Sequence, residues 1–579
     1  MKYTMVGTIL GITSLTSMPS FSNTHCAQTT QAISCDGKQG IFYAFNNGTA
    51  QPYQVGQMPL LSTGINQQLS VAICNYNNNN VNQARLSADV QMSHLVPTII
   101  ANLSDSSHLR VDIVNSANVN VNQTLIVGDK LPEGPANNNN SKNIIGSTFQ
   151  DSDITKIETG NEPALIDDVV YGVIGKDVQA SINIRNSANV ELLHPQSELY
   201  IGKGSLIEEL INRPNNHANA QLSGGCFETN IQNSANVRGS GKTYIRDGQL
   251  ENENFDYGTN GTDIYVTKRD VANVTGSEVH IFDGELSDET VDTGNIENST
   301  FRLELTNVGT VQASYLRIID GELVDELIDA GDINNSGITA NTHNVATFRG
   351  DRLVINEGEL LDETIDSNNI FRSNVNILHR FSATATATDW ITIFEGELMD
   401  EVFDSENIRL STVNTQIYNS ANADTSTVSI TQGELIDEVV DAENITESST
   451  IDITISHSGK AFGSKAVNIK NGELIDEVID NRSINNSQIL VRVDNSALAG
   501  KGGIADNSVS ISSGELIDEL VDSEQGITGS HGHVTLMNSA NTFAAHVNFP
   551  PSTHTDLIID SPINDRITYE KINTNMQNP

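Results

Sequence analysis

N-S-A-N-A-D-T-S-T-V-S-I-T-Q-G-E-L-I-D-E-V-V-D, residues 419–441, holds the two words from which the fold is read. The second word, G-E-L-x-D-E-x-x-D, begins in strict form at Gly284, Gly321, Gly358, Gly396, Gly433, Gly472 and Gly514, at spacings of 37, 37, 38, 37, 39 and 42. Degenerate copies precede it: G-S-L-I-E-E-L-I-N from Gly204, G-Q-L-E-N-E-N-F-D from Gly248, and a trace, A-L-I-D-D-V-V, from Ala164. The first word, N-S-A-N, recurs at Asn115, Asn186, Asn233, Asn419 and Asn538, with N-S-A at Asn495. Where both words are clear it falls about a dozen residues before the next G-E-L, as from Asn419 to Gly433, so the two words share one phase. A repeat array therefore runs from about residue 105 to 545.

Between the words lie short alternating stretches such as S-T-I-D-I-T-I-S (449–456) and A-S-I-N-I-R (180–185). Alternation is the period of a half-buried strand, and Asn, Ser and Gly punctuate it as turns require. The unit reads as strand, N-S-A-N turn, strand, acidic block, strand. Within the block the Leu is fixed and the residue five later is always apolar (Val291, Ile328, Ile365, Phe403, Val440, Ile479, Val521). That spacing fits a bend at Asp-Glu or one apolar stripe of a short helix; the bend is favoured, because strand-like sequence precedes each copy. A unit of this length cannot bury a core alone and must stack on its neighbours. The expected fold is all-β: a β-solenoid, or parallel β-helix, with a small β-rich N-terminal cap. Ten or so turns at ~4.8 Å make a rod on the order of 50 Å long.

Over the array, this period and strand pattern resemble the parallel β-helices of secreted bacterial adhesin passengers. The resemblance implies an extracellular structural or adhesive role. The chain departs from that type at its C-terminal end, where residues 567–579 are polar and show no barrel-like strands.

The rest of the chain fits an exported protein. Lys2, the apolar stretch Met5–Leu15 and small residues at Ser20 and Ser22 read as a signal peptide over 1–22. No later segment is apolar enough to span a bilayer. Residues 23–104 read as a β-rich domain with a hairpin, in which Leu69–Tyr76 and Val81–Val90 flank Asn77–Asn80. They also hold Cys26, Cys35 and Cys74, among which one disulfide is expected; Cys226 has no local partner. The tail, 546–579, carries Pro550-Pro551, which cannot continue a ladder, and is expected to close the far end. The implied location is extracellular, cell-surface or periplasmic.

Formal charge is −43, which disfavours nucleic acid and anionic lipid and favours cations. Seven strict blocks hold 28 of the 74 acidic residues, so the charge is organised. In a solenoid, equivalent carboxylates ~4.8 Å apart repel by ~1 kcal/mol in water and ~3–4 kcal/mol at an effective dielectric near 20. The remedy is a solvated face, raised pKa values or bound Ca²⁺. The candidate calcium ligands are Asp437, Glu438 and Asp441, with Asp476, Glu477 and Asp480 one turn on. No cofactor other than Ca²⁺ is expected.

Two other functions compete. A polysaccharide lyase or glycoside hydrolase needs a local exception to the repeat. The nearest exceptions are Asp167-Asp168 and Ser530-His531-Gly532-His533, and Trp390 is the only tryptophan available to line a sugar groove. A self-assembling fibre subunit is the third reading, since the Asn-rich units are similar to curli-type repeats. The expected role is structural or adhesive, not enzymatic, and the partner a host or cell-surface protein or glycan, or another copy of the chain.

Overall fold

The computed structural model describes residues 26, 30–53, 61–86, 96, 99–128, 163–212, 221–502, 504, 506–548, 559–562 and 567–572. The expected signal peptide and Pro550-Pro551 lie outside them. The described chain is a β-solenoid of about 11 turns, without helix. None of it is a helix long and apolar enough to cross a membrane.

One turn shows how the repeat folds. Thr412–Tyr418 lies in a first sheet, Asn422–Thr431 in a second and Asp441–Thr446 in a third. Each pairs in parallel with its counterparts in the turns before and after. The first sheet runs unbroken through 15 strands, so the turns share one continuous core. Alternate residues point inward: Ile451, Ile453 and Ile455 stack on Val413, Thr415 and Ile417, and all six are buried. The alternation read from 449–456 is this inward face.

The corners account for the polar words. In N-S-A-N the Asn and the Ala both take left-handed backbone, with φ 50° at Asn419 and 48° at Ala421. Two such residues in one tetrapeptide turn the chain sharply between the first and second sheets. The Ser between them is buried, and its hydroxyl accepts the N–H of the previous turn's Ser, as in Ser382 to Ser420 (3.2 Å) and Ser420 to Ser458 (3.1 Å). The final Asn bonds in the opposite direction along the stack, its Oδ1 accepting the N–H of the following turn: Asn236 N–H donates to Asn189 Oδ1 at 3.1 Å and Asn273 N–H to Asn236 Oδ1 at 3.0 Å. A second serine ladder, through Ser299, Ser336, Ser373 and Ser411, lines the corner from the third sheet back to the first. Backbone groups that a corner strips from the sheets are thus satisfied by side chains one turn away.

The acidic block is a bend, the alternative that the strand-like sequence before each copy favoured, and not a short helix. Leu435 and Ile436 point inward, Asp437 and Glu438 outward, and Val439 and Val440 inward again. Short parallel bridges join successive blocks, including Leu361 to Met399 and Met399 to Ile436. The glycine that opens each block is set by close approach. A Cβ at Gly396 would lie 2.5 Å from the carbonyl oxygen of Gly358 and 2.9 Å from its nitrogen.

The N-terminal region differs from the expected hairpin. Gln68–Cys74 pairs with His108–Val114 in the first sheet, and Asn79–Leu86 with Val119–Gly128 in the second. The Asn-rich segment between them is a corner, with Asn75 and Asn77 at φ 48° and 49°. Parallel stacking therefore reaches back to residue 68, and Gly40–Phe45 with Gln51–Tyr53 covers this end as antiparallel strands. Cys35 bonds Cys74, which is one of the pairings expected among the clustered cysteines. Cys226 bonds Cys26 across 200 residues of sequence.

Gly396→Ala is expected to lower stability by about 1–3 kcal/mol, because the intruding methyl meets backbone. Gly294→Ala, where a Cβ meets nothing within 4 Å, serves as the control and should leave the unfolding midpoint unchanged. Equal midpoints for both variants in denaturant titrations would contradict the close-approach role.

Candidate acidic ladder

Because the bend recurs in register, the four carboxylates of each block form four columns along one corner. First-Glu and first-Asp carboxylates act on one another from turn to turn, as Glu322, Asp325, Glu359 and Asp362 do, and so do second-Glu and last-Asp carboxylates, as Glu326, Glu363 and Asp366 do. Oxygens of Asp325, Glu326 and Asp362 lie within 4.8 Å of one another, as do those of Glu326, Asp329 and Asp366, and of Glu363, Glu401 and Asp404. The calcium ligands expected from sequence occupy the same places as the first two triads, three turns further on. Asp437 and Glu438 with Asp476 correspond to the first of these triads, and Glu438, Asp441 and Asp480 to the second.

This edge is not a freely solvated face. Glu326, Glu363, Glu438 and Glu477 each have a carboxylate oxygen sealed from solvent with no hydrogen-bond partner. Burial, then repulsion from neighbouring carboxylates, pushes Glu326 to about 8, Glu363 to about 9 and Glu438 to about 10. The same causes, in the same order, raise Glu477 to about 8 and Asp437 to about 9. Asp476 and Asp480 reach about 6, and Asp441 is raised, chiefly by burial. Asp437 shares hydrogen bonds with the carboxyls of Asp400 and Asp476 in adjacent turns. Two carboxyl groups can bond in this way only when a proton lies between them. At neutral pH without cations, the ladder therefore retains protons that free carboxylates would lose.

The exceptions to the repeat part company. Ser530 belongs to the corner ladder, accepting the N–H of Ser487 at 3.0 Å. His531 is exposed on a first-sheet strand opposite Gln488. His533 meets Thr568 Oγ1 at 2.9 Å and Glu570 at 3.8 Å. These residues lie near the C-terminal end of the stack and are not brought to Asp167-Asp168. That pair instead lies against Glu208 of the following turn, with all three residues buried.

Sequence reading missed one buried ion pair. Lys268 reaches across the core to Glu251 at 2.6 Å, both side chains fully buried. Glu251 also accepts from Ser287 Oγ (2.8 Å) and Asn254 Nδ2 (2.8 Å). The only sequence signal is a Glu at the inward position of a degenerate block. Comparison with protein families and with characterised proteins finds no match for this chain.

The pH dependence follows from the raised values. A carboxyl with a folded pKa above its unfolded one, ~4, binds more protons folded than unfolded between the two values. Its contribution is full below pH ~4 and is lost as pH rises through the folded pKa. In chelator, the thermal midpoint is expected to fall as pH is raised from 5 through the folded values of about 6 to about 10. A midpoint that is flat or rises over that interval in thermal scans would contradict the ladder's electrostatics.

Proposed function

We propose that the protein is a secreted or cell-surface structural or adhesive rod whose acidic edge binds calcium. The observation that carries this reading is the in-register stack of carboxylates, repeated once per turn, with sealed oxygens that lack partners. Hard divalent cations take several carboxylate oxygens at once and relieve their mutual repulsion. The solenoid and its two disulfides are compatible with an exported repeat protein in an oxidising compartment. A non-enzymatic role is supported by the way the carboxylates recur, since a catalytic pair is a local exception. The partner in this reading is a cell-surface protein or glycan, or another copy of the chain.

Calcium titration of the chelator-treated chain tests it. Several equivalents are expected to bind at concentrations up to the order of millimolar, with a rise in thermal midpoint that is largest above neutral pH. Asp437→Asn with Asp476→Asn should reduce the stoichiometry. Absence of heat in calorimetry at millimolar calcium would remove the ladder as a cation site. Deleting one central repeat should weaken adhesion to cells by degrees; abolition of all binding would point to a single local site instead.

A further inference from the structure

We propose that Asp167, Asp168 and Glu208 form a discrete buried calcium site that clamps two successive turns near the N-terminal end of the array. The three come from the degenerate blocks, A-L-I-D-D-V-V and G-S-L-I-E-E-L-I-N. They differ from the strict blocks in burial: Asp168 is 0%, Asp167 4% and Glu208 4% exposed, whereas the ladder triads above are half-buried.

One oxygen from each residue lies within 4.8 Å of the others. Ligand oxygens at ~2.4 Å from a common Ca²⁺ are separated by at most ~4.8 Å, so the cluster already has the span of a coordination shell. Two oxygens point to a missing ligand. Glu208 Oε2 and Asp168 Oδ1 are sealed from solvent and have no hydrogen-bond partner. The other Asp168 oxygen accepts from Asn212 Nδ2 at 3.1 Å, and Glu208 shares a hydrogen bond with Asp167. Glu209 and Asp256, the further charged groups acting on Asp168, are also acidic. A proton shared between two carboxyls satisfies one oxygen of each, and leaves the remaining buried oxygens costly. A cation takes several at once.

Calcium fits better than magnesium. Mg²⁺ keeps several of its waters, whereas Ca²⁺ accepts a cage of protein oxygens with flexible geometry. The site is also separate from the ladder's first Asp column. Asn252 stands between Glu208 and Asp288 where the strict blocks carry Asp, so that column is interrupted on the C-terminal side of the cluster. The strands it joins, Ala164–Ile166 with Ser205–Ile207 and Val170–Tyr171 with Ile211–Asn212, pair only over two or three residues. An ion bridging Asp167, Asp168 and Glu208 adds a strong link where the ladder of backbone bonds is short.

The test uses the full chain, stripped with chelator and titrated with calcium chloride in excess magnesium. One equivalent per chain is expected at a free calcium roughly tenfold or more below that needed for the ladder. Asp168→Asn with Glu208→Gln should abolish that equivalent, and the amides keep the side-chain volumes. Asp437→Asn with Asp476→Asn should leave it intact. A wild-type chain with no such first equivalent, or one that survives the Asp168 and Glu208 substitutions, overturns the site. If the double variant does not fold, Glu208→Gln alone is read the same way, with a first equivalent weakened about tenfold or more. The two calcium readings fail separately: a first equivalent with no later phase removes the ladder and keeps this site.

Discussion

Parallel, in-register stacking governs this molecule. It places every side chain over its counterpart one turn away, at ~4.8 Å. For apolar residues the repetition is favourable, and columns such as Val413, Ile451 and Ile489 form a continuous core. For serine and asparagine it is also favourable, since each side chain can satisfy a backbone group of the neighbouring turn. For carboxylates the same repetition is adverse. The fold imposes one spacing on all three classes, and only the charged class needs protons or a counter-ion to tolerate it.

The acidic corner shows how that conflict arises. The bend needs apolar residues on both sides of its tip to hold the block against the core, and Leu435, Ile436, Val439 and Val440 supply them. The carboxylates sit between and beside those anchors, so they are pulled partly out of water by the packing that makes the corner. Glu251 shows another outcome at this corner: turned inward, it is met by Lys268 in a fully buried pair. Such a pair is costly to break from one side, because the surviving charge would remain buried without a counter-charge.

Much of the fold was legible because the repeat is strict where it is strict. The phase of G-E-L and N-S-A-N marks the turns, alternation in 449–456 marks the inward face, and the strand-like sequence before each block favours the bend over a short helix. The segment around Asn77–Asn80 misled because a turn-rich stretch between alternating strands reads alike in a hairpin and in a solenoid corner. What separates them is whether the flanking strands pair with each other or with strands about forty residues on, which local sequence does not record. The partner of Cys226 was hidden for the same reason. The burial of the carboxylates was not legible either: Asp and Glu read as solvated unless the path of the chain is known, and Glu326 or Asp168 carries no local mark of its sealed oxygen.

The bond between Cys26 and Cys226 gives the rod a mechanical direction. It ties the covering N-terminal segment to the first-sheet strand Cys226–Gln232, several turns into the stack. Tension entering from the N-terminal side passes through that covalent link before it reaches the stacked strands between. Turns beyond residue 232 have no such covalent tie among the described residues and are held by stacking, hydrogen bonds and ion pairs such as Lys268–Glu251. The covalent tie therefore favours opening of the turns on the C-terminal side of residue 232 before those that the disulfide encloses.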